Sequence, residues 1–93
     1  MRVISNRALV AFAAEYPASA QPLQVWRKAM ETHVFANHAE LKAAFGSVDK
    51  AGHFHVFDIG GNKWRIVALL NFGKQLCFIR HVFTHKEYDQ WTP

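Results

Sequence analysis

Residues 53–84 read HFHVFDIGGNKWRIVALLNFGKQLCFIRHVFT, and this stretch decides the fold. It contains three runs, at residues 53–59, 63–72 and 75–83, that are rich in Val, Ile, Phe and Trp. These residue types are favoured in strands. The segments between the runs, GGN at 60–62 and GK at 73–74, are typical of hairpin turns because Gly and Asn tolerate positive φ angles. Two short turns in succession predict an antiparallel meander of three strands.

The residues before this stretch have helical periodicity. Arg2 to Ser5 predict a short first strand, and Ser5 or Asn6 is expected to cap the helix that follows. Pro17 ends this helix, because proline disfavours helical geometry in the residue before it. The apolar residues of this helix recur at i, i+3, i+4 and i+7 and form one apolar stripe: Leu9, Phe12, Ala13 and Tyr16.

Two more helices are predicted before the strands. The second helix opens at Pro22, a position where the missing amide proton costs nothing. A short third helix covers His38 to Phe45 with Asn37 as its cap, and residues 46–52 are predicted to be a loop. The buried face of the second helix is expected to comprise Leu23, Trp26, Ala29 and Met30.

The chain is predicted to end in a short helix over residues 85–91, since Thr84 and Glu87 have the spacing of a capping box. The order is then strand, helix, helix, short helix, three strands and short helix. Because helices and strands are segregated along the chain, we expect an α+β fold with N-terminal helices packed on one face of an antiparallel sheet. A length of 93 residues predicts a single domain over residues 1–93.

Charge gives the first indication of function. The chain has 11 Lys and Arg residues against 7 Asp and Glu residues, and its isoelectric point is about 9.6. A domain this basic is a candidate for binding nucleic acid if its cations cluster, and the alternative is a soluble protein that is basic by composition alone.

Three further features of the sequence indicate in which cellular compartment the protein is found. Cys77 is the only cysteine, so no internal disulfide can form, and its apolar neighbours predict a buried structural thiol. Residues 1–20 lack the features of a signal peptide, and the apolar run at 66–70 is too short to cross a bilayer. We therefore expect a cytoplasmic protein that does not bind membranes.

Cations on the predicted strands are the first candidate site residues. Lys63 and Arg65 are two residues apart on one strand and are expected to share a sheet face, where they need water or an anion. They are candidates for contacting phosphate, although Arg65 could instead pair with Asp58. Arg80 is a charge in the middle of an apolar strand, a conflict that is more common at functional sites. Its alternative is an ion pair with Asp89 or Glu87.

The segment THKEYD at 84–89 is dense in reactive groups and follows directly on the last strand. His85 can take and give a proton near neutral pH, and Lys86 can stabilise negative charge. Tyr88 lies three residues after His85 on the same helical face and could stack on an unpaired base. The alternative is an amphipathic capping helix in which Tyr88 and Trp91 pack on the sheet, and we prefer that alternative for Trp91.

Other chemistries have little support in the sequence. His53 and His55 flank Phe54, but a catalytic zinc site needs at least three protein ligands and no further ligand has supporting spacing. The signatures of nucleotide loops, nucleophile elbows and zinc fingers are absent. We therefore expect no metal and no cofactor.

Three blocks together resemble a known family. The segment FDIGGNKWRIV at 57–67, followed by CFIR at 77–80 and THKEYD at 84–89, is similar to the HigB toxin family, RelE-like mRNA interferases of bacterial toxin–antitoxin systems. LKAAF at 41–45 fits as well, so the resemblance covers nearly the whole chain. The patterns GGNKxR and IRxVxTHKEYD are distinctive in combination.

This resemblance implies a RelE-like fold and cleavage of mRNA while it is translated on the ribosome. It also implies a partner, a HigA-type antitoxin with a helix-turn-helix domain, which holds the toxin inactive. The pair represses its own promoter, so operator DNA would be contacted only through the antitoxin complex.

The resemblance also suggests roles for the candidate residues. Family members use basic residues on the sheet and an aromatic residue or histidine near the C-terminus, which here correspond to Arg65 and to a cluster of His85, Lys86 and Tyr88, with Arg80 in the last strand. The hypothesis is a metal-independent attack of a ribose 2′-hydroxyl on the adjacent phosphate. Arg65 and Arg80 bind the phosphate with Lys63 or Lys86 assisting, His85 is the acid–base residue, and Tyr88 orients or stacks.

Two other functions fit the same residues. One is a basic module that occupies RNA or the ribosome without cutting, which would stall ribosomes on intact messages. The other is a structural partner of a transcription regulator whose toxicity is lost, which would be harmless when expressed alone.

Overall fold

The predicted α+β fold is confirmed in a computed structural model that describes residues 1–93. No helix combines the length and the apolar composition that a membrane-spanning segment requires. The elements in chain order are β1 (Arg2–Ile4), α1 (Asn6–Glu15), a 3-10 turn (Pro17–Ser19), α2 (Ala20–Glu31), α3 (His38–Ala44), β2 (Asp49–Ala51), β3 (Phe54–Ile59), β4 (Trp64–Asn71), β5 (Leu76–Thr84) and α4 (His85–Gln90).

The strands form one five-stranded sheet in the order β1-β5-β4-β3-β2. β3, β4 and β5 are the predicted antiparallel meander. β1 pairs with β5 in parallel, with Val3 opposite Cys77, so the sheet is mixed and not wholly antiparallel as expected. The parallel pairing depends on a contact between distant parts of the chain, which local sequence patterns do not contain.

The prediction of a loop over residues 46–52 is wrong in its second half, because Asp49–Ala51 form β2 and pair with β3. This strand has three residues at the sheet edge, and none of them is buried. Edge strands are often short and charged, which discourages pairing with another chain. A strand of this kind lacks the alternation of apolar and polar residues by which strands are recognised in a sequence.

The helix starts follow the predicted positions only in part. Ser5 occupies the N-cap of α1, but its side chain accepts no hydrogen bond, and the Asn6 side chain accepts one from Gln24 instead (2.7 Å). α2 begins at Ala20, two residues before Pro22. The cap of α3 by Asn37 and the capping box of Thr84 and Glu87 on α4 are confirmed.

The hydrophobic core lies between the helices and one face of the sheet. Leu9 of α1 and Leu23 and Met30 of α2 are fully buried, whereas the rest of the α1 stripe and Ala29 of α2 are only half-buried. Trp26 packs edge-to-face on Phe57 of β3, with ring centroids 5.1 Å apart. The second face of the sheet is partly covered by the C-terminal residues, where Trp91 packs on Phe54 and Phe83.

The β3–β4 turn depends on glycine at residue 60. Gly60, Gly61 and Asn62 all have positive φ, as expected from their composition. A Cβ at Gly60 would lie 2.6 Å from the Trp64 ring, whereas nothing lies within 4 Å of a Cβ at Gly61.

In the turn between β4 and β5 the positive φ falls on Gln75 and not on Gly73. The Gln75 side chain donates hydrogen bonds to the Phe35 and Phe72 carbonyls.

Gly60→Ala should destabilise the protein more than Gly61→Ala. Both changes place a side chain at positive φ, which costs about 1 kcal/mol. Only Gly60→Ala must also displace the Trp64 ring, which adds roughly 1–3 kcal/mol. Urea unfolding of both variants measures the difference, and equal losses of stability would show that the contact with Trp64 does not matter.

His55 is a buried polar residue on the helix side of the sheet. It is 5% exposed, and its ring lies 5.1 Å from that of His38 and 5.8 Å from that of Phe72. Neither ring nitrogen of His55 has a hydrogen-bond partner. Burial, with the charges of His38 and Lys50, lowers the pKa of His55 to about 4.

Acidification should therefore destabilise the fold through His55. Below pH 6.5 the unfolded chain binds a proton at this residue that the folded chain does not, so stability falls as the pH drops from about 6.5 to about 4, by roughly 3 kcal/mol. Urea unfolding across this range measures the slope. His55→Leu should flatten it, and an unchanged slope in that variant would exclude His55 as the source.

Candidate functional site

The site lies on the face of the sheet opposite the helices, which we call the open face. Alternate residues of β4 and their partners on β5 point to this side: Arg65 opposite Phe83, Val67 opposite His81, and Leu69 opposite Phe78. α4 and Trp91 cover part of this face, and Trp91 contacts rings on β3, β5 and α4. The open face thus collects residues from three strands and the C-terminal helix.

Arg65 is held inside the protein by several contacts. Its Nε lies 2.7 Å from Asp58 Oδ1, and its terminal nitrogens donate to the Asn62 and Trp64 carbonyls and to the Asn62 side chain (2.6–3.2 Å). The residue is 7% exposed. The alternative that Arg65 pairs with Asp58 is confirmed, and little of the guanidinium is left for solvent or substrate.

Tyr88 is the second predicted residue that the structure brings to this place. The Arg65 guanidinium carbon lies 5.4 Å from the centre of the Tyr88 ring, within the range of a cation–π contact. Tyr88 is half-buried and also lies 6.0 Å from the Trp91 ring. Arg65 therefore supports Tyr88 from within the sheet.

His85 begins α4 beside the β3–β4 turn. Its backbone amide donates to the Lys63 carbonyl (3.0 Å), and its exposed side chain places Nδ1 3.0 Å from Asp89 Oδ2. Sequence reasoning did not assign Asp89 to His85, although the i, i+4 spacing within a helix predicts such a pair. A carboxylate at Nδ1 fixes the ring orientation and leaves Nε2 without a protein partner.

Lys86 follows His85 directly in sequence, and the backbone carbonyl of Lys63 accepts the hydrogen bond from the His85 amide. Both are exposed, and neither forms a salt bridge. The Lys63 ammonium lies 5.8 Å from the centre of the Trp64 ring. Both amines are therefore free to bind an anion.

Arg80 is exposed but does not lie next to His85. The register between β4 and β5 shifts at Val67/Ala68, which places Arg80 in a bulge. It lies four residues before Thr84, about 13 Å along the strand. The alternative ion pair with Asp89 or Glu87 is not observed, because Asp89 pairs with His85 and Glu87 caps α4.

The remaining candidates lie elsewhere. His53 is exposed in the β2–β3 turn while His55 points to the core, and no three His, Cys, Asp or Glu side chains converge. Cys77 is fully buried as predicted, and burial raises its pKa to about 12. A cavity of about 270 Å³ with mostly apolar walls lies between α2 and β3, and no residue of α4 lines it.

Comparison with known proteins supports the family resemblance. Residues 19–91 match the family HigB_toxin, described as the RelE-like toxic component of a toxin–antitoxin system. The "mRNA interferase toxin HigB" of Escherichia coli K12 is 38% identical, with 99% of this chain and 91% of that protein aligned. The "mRNA interferase HigB" of Escherichia coli O6:H1 is 30% identical, with 99% and 92% aligned.

Both likenesses extend over the strands and α4 that form the open face. The family match alone covers α2 to α4, and the relatives align with all but 1% of the chain. The chain therefore belongs to the HigB toxin family, the RelE-like toxic components of toxin–antitoxin systems.

Proposed function

We propose that this chain is an mRNA interferase, an endoribonuclease that cuts messages during translation on the ribosome and so inhibits protein synthesis. Family membership and the names of the relatives support the activity. The observation that carries the assignment to a site is the start of α4, where the His85 ring is paired with Asp89, the His85 amide is bonded to the Lys63 carbonyl, and Lys86 is the next residue.

The proposed reaction is a transesterification that needs no metal. The 2′-hydroxyl of a ribose loses its proton to His85 Nε2 and attacks the adjacent phosphorus. The 5′-oxygen of the next nucleotide leaves and takes up a proton. The products are a 2′,3′-cyclic phosphate and a 5′-hydroxyl.

Cations must stabilise the charge that develops on phosphorus. Lys63 and Lys86 are exposed and unpaired, so they can approach the phosphate beside His85. Preorganised charges aimed at a transition state are worth factors of about 100 to 1,000. Arg80, farther along β5, suits the backbone of a neighbouring nucleotide.

The contacts of Arg65 favour a positioning role over direct binding of phosphate. Its ion pair and hydrogen bonds hold the guanidinium against the Tyr88 ring. We propose that Tyr88, fixed in this way, orients the substrate or stacks on a base. Arg65 would then reach the reacting nucleotide only through Tyr88.

A HigA-type antitoxin with a helix-turn-helix domain is the proposed partner. The family description names a toxin–antitoxin system, which supports an antitoxin but not its type. In this proposal operator DNA is bound by the antitoxin, and the toxin contacts it only within the complex. The ribosome and mRNA complete the set of partners.

A module that binds RNA or the ribosome without cutting is the second candidate. The exposed, unpaired side chains of Lys63, Arg80 and Lys86 favour it, since binding needs cations but no acid–base group. The two functions differ in whether messages acquire new ends.

Wild-type protein added to a translating extract should create new 5′ ends inside translated messages, and these ends should carry 5′-hydroxyls. His85→Ala should lower the cleavage rate by about 10²–10⁴-fold, the usual contribution of a positioned acid–base group. Mapping of RNA ends, with and without prior phosphorylation, measures both the rate and the end chemistry.

His53→Ala is the matched control, because His53 is an exposed histidine in a turn outside the site, and its rate should equal that of the wild type. Full activity of His85→Ala would remove His85 from the mechanism. Ends with 5′-phosphates would contradict the 2′-hydroxyl attack, and stalled ribosomes on intact messages would favour the binding module.

Asp58→Asn should lower both stability and cleavage. Removing one partner from a mostly buried ion pair costs about 3 kcal/mol, because the other charge is left uncompensated. Asp49→Asn removes the partner of Lys42 in an exposed pair and should cost less than about 1 kcal/mol. Thermal unfolding and the extract assay, run below the unfolding transition, measure the two effects.

If Asp58→Asn cleaves at the wild-type rate while folded, the Arg65–Tyr88 contact has no part in catalysis. If its stability equals that of Asp49→Asn, the pair does not anchor the open face.

A further inference from the structure

We propose that His81, with Phe83 and Trp91, forms a base-stacking subsite on the open face, which holds an unpaired RNA base of a nucleotide next to the cleaved one. The proposal rests on the proposed function and adds to it the residues that bind the substrate outside the reacting centre. None of the three residues takes part in the chemistry at His85.

The first support is the ring geometry along β5. The His81 and Phe83 rings are stacked, with centroids 4.9 Å apart and planes only 12° from parallel. Phe83 stacks on the imidazole, Trp91 lies tilted against it at 5.7 Å, and His81 has no third aromatic neighbour. Because His81 is exposed, a planar base can extend this stack.

The second support is rigidity. Trp91 lies within 6.0 Å of the ring centres of Phe83 and Tyr88, and it packs edge-to-face on Phe54 of β3 at 5.4 Å. The rings are therefore fixed by contacts among three elements of the fold. A platform that is already ordered loses little conformational entropy when a ligand binds, so more of the stacking energy appears as affinity.

The third support is the neighbouring charge. Arg80 precedes His81 in the bulge of β5, and its exposed side chain makes no hydrogen bond or salt bridge. Bulges reorient side chains near functional sites. An aromatic surface beside an unpaired cation is the combination by which proteins bind single-stranded nucleic acid, with the ring on the base and the cation on the backbone.

The position of the subsite indicates that it binds a nucleotide next to the reacting one. His81 lies opposite Val67 and Phe83 opposite Arg65, so the stack runs from the Arg65–Tyr88 contact away from α4. His81 is three residues before Thr84, about 10 Å along the strand. This separation is too large for the reacting phosphate and suits an adjoining nucleotide.

The test is binding of a single-stranded 2′-O-methyl oligonucleotide, which cannot be cleaved because it has no free 2′-hydroxyl. Trp26 and Trp64 are 3% and 8% exposed, so quenching of tryptophan fluorescence reports mainly on Trp91. We expect His81→Ala to weaken binding by roughly 5- to 150-fold, the range found when one stacking ring is removed.

Two variants serve as controls. His81→Phe keeps a flat ring and should bind within about twofold of the wild type, since stacking needs no imidazole nitrogen. His33→Ala removes another exposed histidine that is stacked on a phenylalanine, Phe35, on a different part of the surface, and it should bind as the wild type does. Thermal unfolding checks that all variants are folded.

The outcomes separate this proposal from the proposed function. Wild-type protein that cleaves messages while His81→Ala binds the oligonucleotide normally overturns the subsite alone. Loss of binding in His33→Ala to the same degree also overturns it. If His81→Ala keeps oligonucleotide binding but escapes neutralisation by the antitoxin, this surface binds protein and not RNA. Failure of the wild type to cleave messages overturns the proposed function.

Discussion

The ion pair between Asp58 and Arg65 is the interaction on which the open face depends. A buried guanidinium is costly unless its charge is compensated and its N–H groups are bonded. Here Asp58 lies opposite Arg65 on the neighbouring strand, and Asn62 in the intervening turn accepts hydrogen bonds through both its carbonyl and its side chain. Turn, strands and cation therefore form one unit.

This unit explains several local features of the chain. The positive φ angles at residues 60–62 bring Asn62 back towards Arg65, and the glycine at residue 60 leaves room for the Trp64 ring. The Lys63 carbonyl, next to the same turn, accepts a hydrogen bond from the His85 amide, and this bond fixes the position where α4 begins. Tyr88 then rests against the guanidinium. A mostly buried ion pair thus positions residues that are themselves half-buried or exposed.

The two faces of the sheet differ in the groups that they carry. The helix side contains the core and His55, a buried histidine with no hydrogen-bond partner. Because burial lowers the pKa of His55, the free energy of unfolding depends on pH. The open face has two parts: a polar end at α4 with the paired His85 and Asp89, and an aromatic stripe along β5 beside Arg80. One part has an imidazole paired with a carboxylate, and the other has flat aromatic rings and a free cation; the proposed cleavage rests on the first part and the proposed base-stacking subsite on the second.

The sequence by itself determined the elements of the fold and the family. Apolar periodicity, proline and glycine positions and capping residues are local signals, so α1, α3, the meander and α4 could be predicted within a few residues. The motifs GGNKxR and IRxVxTHKEYD together indicated the family. The parallel pairing of β1, the polar edge strand β2 and the bulge at Arg80 were decided only by tertiary structure, since each depends on a partner strand. The same holds within the site. Sequence spacing named Arg65 as a cation on the sheet, but only the folded chain surrounds it with Asp58, Asn62 and Tyr88, because whether a charge is free or bonded depends on the groups that other elements bring to it.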